Sequence, residues 1–322
     1  MIKKNNFKQL FKTMLTIRLV EEKIASEYSK GYMKCPVHLY VGEEAVAAAV
    51  ITLLNKQDYL TTTHRSHGHY LAKGGDILLL LKELCGLEDG YTGGWGGSQH
   101  IFAPDINILG TSAIVGSGIS VATGIALGIK MKNLNNISVC FFGDGATEEG
   151  YFYESLNFAS LKSLPVLYIC ENNYLATHSR LDSRRAKGVE IYKIANSLGV
   201  KSQKIDGNDV IGLYDVSKNI IEYVRKNKKP YLIEAVTYRW KGHVSPEEDF
   251  GERYRDKSEI ELWKKKCPIN NFEKKIISNN LLSKEEIDTI KCEVSSLIEE
   301  NFLELNKLLQ NKQSGFVPKT PY

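Results

Sequence analysis

The stretch that most narrows what this chain can fold into runs ISVCFFGD (137–144), ATEEGYFYESLNFASLK (146–162) and LPVLYICEN (164–172). Two runs of strand length, each apolar through its middle, flank a segment of helical period. Strand, helix and strand in that order form a crossover unit whose two strands lie parallel. Strands with no polar side need helices on both faces of their sheet. The chain therefore reads as a doubly wound α/β protein with a mostly parallel sheet, and its ligand is expected beyond the carboxyl ends of the strands. DYLTTTHR (58–65) and PYLIEAVTYRW (230–240) read as further strands.

Helices frame this unit. Phe7, Leu10, Phe11, Met14, Leu15, Arg18 and Glu22 fall at helical spacing within residues 7–30, a run that Gly31 ends, and a second helix is read from Gly42. Residues 283–309 carry Ile287, Ile290, Val294, Ile298, Phe302, Leu305 and Leu309 on one face, behind a Ser283/Glu286 capping box. No repeat or low-complexity linker interrupts the chain, which favours one domain over residues 1–322, with a helical arm over about 1–57 and a helical extension over about 257–322.

The charge pattern excludes several classes. With 42 basic and 38 acidic residues scattered along the chain, no segment resembles a nucleic-acid-binding arm. The six cysteines show neither a CxxC pair nor metal-ligand spacing, as expected of reduced thiols in a cytoplasmic protein. No run of about 18 apolar residues is present, and MIKKNNFKQLFKTML lacks a signal-peptide pattern, so neither a membrane span nor secretion is expected.

Polar residues end the two central strands. Asp144 and Asn173 would leave adjacent parallel strands at one sheet edge, where a carboxylate and an amide oxygen suit Mg²⁺ or Ca²⁺ rather than zinc. Gly143 and Gly145 are read as letting the main chain turn tightly beside a phosphate, with residues 146–149 opening a helix whose free N–H groups favour an anion. A diphosphate with Mg²⁺ is the natural occupant. An Asx turn beside an unrelated NN loop is the plainer reading, and the intervening strand-linked unit argues against it. Gly116, Gly118 and Gly124 have the wrong spacing for a dinucleotide fingerprint, and no strand is expected before them.

GDG, 26 residues and then NN resembles the thiamin diphosphate motif, and the wording GDGATEEG…ESLNFASLKSLPVLYICENN resembles alpha subunits of the first component of 2-oxo-acid dehydrogenases. HLYVGEEAV (38–46), HRSHGHYLAKG (64–74), GGWGGSQH (93–100), ILGTSAIVGSGISVATGIALG (108–128), DGNDV (206–210) and YRWKGHVS (238–245) follow in the family's order, so the resemblance covers roughly residues 7–270.

By that resemblance the domain binds thiamin diphosphate, and Asp144, Asn173 and the Leu175 carbonyl hold Mg²⁺. Gly145 and Ala146, next to Gly143, present N–H groups to the diphosphate, and Arg65 and Arg239 grip it. His64 stands where many relatives have tyrosine, and Ile114 and Val115 cradle the aminopyrimidine. His67 and His243 match two catalytic histidines near the reactive carbon, a role that imidazole suits near neutral pH. His69 reads as structural or as a partner standing behind the site residues. SRLDSRRAKG (179–188) is either a solvated basic loop, a docking site or the family's mobile loop over the channel.

The resemblance also implies what the chain lacks. The glutamate that activates the cofactor belongs to a beta subunit, giving an α₂β₂ heterotetramer, with a lipoyl acyltransferase as a further partner. The implied activity, on pyruvate, another small 2-oxo acid or acetoin, forms an enamine/carbanion adduct and passes the acyl group to lipoamide. Lys241 and the GGWGGSQH segment depart from the pyruvate-type pattern. A two-chain carboligase without a lipoyl partner and a non-catalytic partner subunit are the alternatives.

Overall fold

Eight strands punctuate the described residues: β1 (Tyr59–Thr63), β2 (Ile108–Ser112), β3 (Ser138–Gly143), β4 (Val166–Asn172), β5 (Leu175–Ala176), β6 (Ser179–Arg180), β7 (Lys201–Asp206) and β8 (Tyr231–Val236). They are seen in a computed structural model that describes residues 3–249 and 255–312. Six of them form one sheet in the order β2-β1-β3-β4-β8-β7, every pair parallel. The remaining two, β5 and β6, make a small antiparallel hairpin.

Alternation along the central strands explains the layers. Val139, Phe141, Leu167 and Ile169 enter the larger core, which also holds residues of α1 (Lys4–Tyr28) and α2 (Glu44–Ile51). The intervening Cys140, Phe142, Tyr168 and Cys170 enter a second core with residues of α5 (Ser117–Met131), α6 (Gly150–Lys162) and α8 (Ile191–Ser197). Burying Phe141 and Phe142 on opposite faces contributes roughly 2 kcal/mol each. The short α3 (His67–Ala72) and α4 (Ile77–Leu84) connect β1 to β2; α7 (Leu181–Arg184) follows the hairpin; α9 (Val210–Asn227) precedes β8. The described chain ends in α10 (Lys257–Lys265), α11 (Pro268–Ser278) and α12 (Lys284–Lys312).

Several boundaries differ from the sequence reading, for local reasons. The second helix begins at Glu44, because Gly42 has a φ of +104°, outside the helical range. Asp144–Glu148 forms a 3-10 turn and α6 starts only at Gly150, so no α-helix opens at residues 146–149. Neither GDG glycine has a positive φ, so tight turning is not their role. A Cβ at Gly145 would lie 2.7 Å from that of Ala176, whereas one at Gly143 would meet open space. A strand, β2, does precede Gly116, contrary to expectation, although the glycine spacing still lacks the dinucleotide pattern. The strand β8 stops at Val236, leaving Thr237–Trp240 to run past the sheet edge. The capping box is present: Ser283 N–H donates to Glu286 Oε2 at 2.9 Å, and Glu286 N–H to Ser283 Oγ at 3.2 Å.

Among the described residues no helix is long and apolar enough to cross a membrane. All six cysteines are free thiols, four of them buried. Residues 1–2 and 313–322 of the two helical arms, and 250–254 of the run after His243, lie outside the described residues.

Candidate active site

The sheet's connection order reverses between β1 and β3, since β1 leads outward to β2 and the chain then returns to the other side of β1. A cleft opens at such a switch point, beyond the carboxyl ends of the strands. Its empty space, open solvent at the mouth included, is about 790 Å³. Five of the sheet's six strands, all but β7, deliver residues to it: His64 and Arg65 after β1, Ile114 and Val115 after β2, Gly143, Gly145 and Ala146 at β3, Asn173 and Leu175 after β4, Arg239 and His243 after β8. Gly143 pairs with Glu171 in register, so Asp144 falls level with Asn172, one residue before Asn173.

Asp144 is fully buried between Gly143 and Gly145. Its Oδ2 accepts a hydrogen bond from Arg184 Nη2, while its Oδ1 is buried with no hydrogen-bond partner. Burial raises its pKa, opposed by the Arg184 guanidinium. Asn173 donates from Nδ2 to Glu43 Oε1 at 3.0 Å and accepts at Oδ1 from Leu175 N–H at 3.1 Å. A buried, unpartnered carboxylate oxygen beside an oriented amide and a main-chain loop is a donor set that fits a hard divalent cation. The basic segment 179–188 is anchored here: Arg184 bonds Asp144, and Arg185 Nη2 donates to Thr147 Oγ1 at 2.6 Å.

The two cleft guanidinia are held by main-chain carbonyls. Arg65 donates to Leu39 O at 2.7 Å and His243 O at 3.0 Å; Arg239 donates to Lys241 O at 2.7 Å and Thr177 O at 3.1 Å. Burial, then the nearby Arg239 charge, lowers the Arg65 pKa to about 10. Burial, with Arg65 the next contributor, holds His243 down at about 3, so its imidazole is neutral at pH 7.

His67 is fully buried and does not line the cleft. Its Nδ1 lies 3.1 Å from Glu21 Oε2 and its Nε2 2.9 Å from Ser98 Oγ, which also accepts from His38 N–H at 3.0 Å. Both of its ring nitrogens are thus engaged, and Ser98 links it to the His38 main chain. His69 is structural, as read: Thr62 Oγ1 and Glu171 Oε1 flank its ring at 3.0 and 3.1 Å.

Four site residues went unread in the sequence. Glu43 is buried beside Asn173, and burial raises its pKa to about 7 against the opposing Arg65 charge. Glu171 accepts from the Tyr40 hydroxyl behind the cleft. Glu83 accepts hydrogen bonds from the N–H groups of Thr92, Gly94, Gly96 and Gly97 and from the Thr92 hydroxyl, which folds GGWGGSQH around one carboxylate. His38, 3% exposed, completes a ring cluster with His64 and His243. The readable signal was an acid inside an apolar run, as in CEN at the end of β4.

Comparison with known proteins adds an independent line. The family described as dehydrogenase E1 component matches residues 12–312. A pyruvate dehydrogenase E1 component subunit alpha from Rickettsia bellii is 36% identical over 297 residues, covering 92% of this chain and 90% of that protein. Its counterpart from Porphyra purpurea is 38% identical over 299 residues, covering 91% and 86%. The subunit alpha of acetoin:2,6-dichlorophenolindophenol oxidoreductase from Bacillus subtilis is 37% identical over 291 residues, covering 90% and 86%.

Proposed function

The chain belongs to the dehydrogenase E1 component family, and we propose that it is the alpha subunit of a thiamin diphosphate-dependent enzyme acting on a small 2-oxo acid or acetoin. The observation that carries this reading is the fully buried Asp144, with one carboxylate oxygen unpartnered, beside Asn173 at the sheet's switch point.

In this reading Asp144, Asn173 and the Leu175 carbonyl hold Mg²⁺, and Gly143, Gly145 and Ala146 line the diphosphate end. Arg65 and Arg239 supply charge there, and Ile114 and Val115 face the pyrimidine. Thiamin diphosphate, when bound, supplies a nucleophilic carbon and an electron sink. The chain's own work is to bind, orient and handle protons. His243, neutral and lining the cleft, can accept or return a proton at the reacting carbonyl, with His64 as a second donor. Glu43 fixes the Asn173 amide so that its oxygen stays available.

Ile114 is 67% exposed and Val115 42% exposed at the cleft mouth, which supports a second subunit completing the site. We take that subunit to be the beta chain of an α₂β₂ heterotetramer, with a lipoyl acyltransferase as acceptor. We also take residues 1–322 as one domain in a cytoplasmic protein; the larger core draws on α1 and α12 alike, and no described thiol is paired.

The test is co-expression with the neighbouring beta-like chain, then reduction of an artificial electron acceptor with pyruvate or acetoin, thiamin diphosphate and Mg²⁺. Turnover that depends on both cofactors is the expected result, and Asp144→Ala should remove Mg²⁺-dependent cofactor binding measured by calorimetry. Cofactor binding without turnover on either donor would favour the carboligase. Cofactor binding unchanged in Asp144→Ala would remove that residue from the metal site.

A further inference from the structure

Three histidines from distant parts of the chain meet at the cleft wall. His38 comes from the segment before α2, His64 from the end of β1, and His243 from the loop after β8. Their ring centres are 4.9, 5.4 and 5.3 Å apart, at interplanar angles of 71°, 88° and 60°. One nitrogen from each ring lies within 4.8 Å of the other two. An ion bound tetrahedrally at about 2.0 Å from three imidazole nitrogens would set those nitrogens roughly 3.3 Å apart and the ring centres about 5 Å apart. The ring centres already have that spacing.

A second observation points to a ligand. His38 is 3% exposed, and its Nδ1 is buried with no hydrogen-bond partner. Its Nε2 lies 3.3 Å from the Gln99 side-chain amide. The amide nitrogen is the atom facing Nε2; with the amide turned end for end its oxygen accepts instead, Nε2 carries the proton and the Nδ1 lone pair is left free. A buried imidazole lone pair without a donor is costly unless something occupies it.

We propose that His38, His64 and His243 form a three-imidazole site for a borderline divalent transition ion of the Zn²⁺ type, distinct from the hard-cation site at Asp144 and Asn173. Imidazole nitrogen suits Zn²⁺ or Co²⁺ and is a poor partner for Mg²⁺. The site is braced from behind. Ser98 holds the His38 N–H; Asp249 Oδ2 accepts from His243 N–H at 2.9 Å, and Arg65 holds the His243 carbonyl. Arg65 and Arg239 oppose a dication. Glu43 at 3.8 Å from Arg65 and Asp249 at 3.4 Å from Arg239 offset them in part, so micromolar rather than nanomolar affinity is expected. Occupancy would take the lone pair of His243 and block turnover without displacing Mg²⁺; that consequence alone rests on the function proposed above.

The test uses the untagged full chain, stripped with a chelator and titrated with Co²⁺ alone. One equivalent should give the intense visible bands of tetrahedral cobalt, and Zn²⁺ should bleach them. His64→Phe and His38→Ala should each lose the bands while keeping the far-ultraviolet dichroism of the wild type, whereas Asp144→Ala should keep them. Because His38 is buried and its variant can misfold, zinc-edge X-ray absorption on the wild-type protein provides a second count, with three imidazoles expected. No tetrahedral bands, bands that survive His64→Phe, or fewer than three imidazoles would overturn the site. In the assembled enzyme at saturating Mg²⁺, one equivalent of Zn²⁺ should lower turnover at least tenfold, reversibly on chelation. Full turnover with zinc bound would overturn the inhibitory consequence and leave the site standing.

Discussion

Arg184 Nη2 donates a hydrogen bond to Asp144 Oδ2, so a guanidinium from the segment after the β5–β6 hairpin sits on the carboxylate assigned to the metal. Asp144 is fully buried and the Arg184 side chain is 15% exposed. In the absence of a metal ion this pairing compensates a charge that would otherwise be stranded.

Removing the guanidinium should therefore destabilise the cofactor-free chain. Arg184→Ala is expected to cost about 3 kcal/mol in chemical denaturation without cofactor. Mg²⁺ with thiamin diphosphate should then raise the melting temperature more in the variant than in the wild type, because no guanidinium has to be displaced. Equal shifts in the two proteins would show that Arg184 does not compete with the ion.

His243 lines the cleft but bonds neither Asp144 nor Asn173 in the structure, so binding and turnover should separate. His243→Ala is expected to bind thiamin diphosphate within a fewfold of wild type while kcat falls about 100-fold or more, the usual contribution of a general acid–base group. Steady-state kinetics and calorimetry on the same preparation decide it, and undiminished kcat would exclude the role.

Glu43 should impose a pH dependence of definite sign. Its pKa is raised by burial from 4.5 to about 7, so between those values the folded chain binds more protons than the unfolded one. Stability from this group is then greatest below about pH 4.5 and falls as pH rises toward 7, by at most about 3 kcal/mol. Glu43→Gln should remove that fall. His38, His64 and His243, whose pKa values burial lowers, titrate with the opposite sign, so the readout is the difference between wild type and variant in denaturation series from pH 5 to 8. A difference independent of pH would refute the shift.

Glu83 organises a loop that otherwise has little to hold it. Glu83→Ala leaves three N–H groups and a hydroxyl without their acceptor, with Gly96 N–H keeping only Thr92 Oγ1, and should cost about 3 kcal/mol or more. Amide exchange in residues 92–97 should accelerate at the same time. Unchanged protection there would mean that the loop is held by other contacts.

The central unit β3-α6-β4 was legible because its strands are apolar on both faces and its helix separates them by one crossover. The polar KSQKID of β7 hid an edge strand, whose outward lysines carry no apolar alternation, and ILGTS of β2 was lost in a glycine-rich run. Asp144 and Asn173 could be placed at one edge from spacing alone. The burial of His67 could not, since it depends on Glu21 from α1 and Ser98 from a distant loop. Nor could the meeting of His38, His64 and His243, which only the folded chain brings about.

The bare Ile114 and Val115 at the cleft mouth carry a thermodynamic consequence. If one neighbour covers both that lip and the bound cofactor, loading and assembly become linked equilibria. Whatever factor the second chain adds to cofactor affinity, the cofactor must return to subunit affinity. Dilution would then unload the enzyme, and a shortage of the vitamin-derived cofactor would loosen the oligomer.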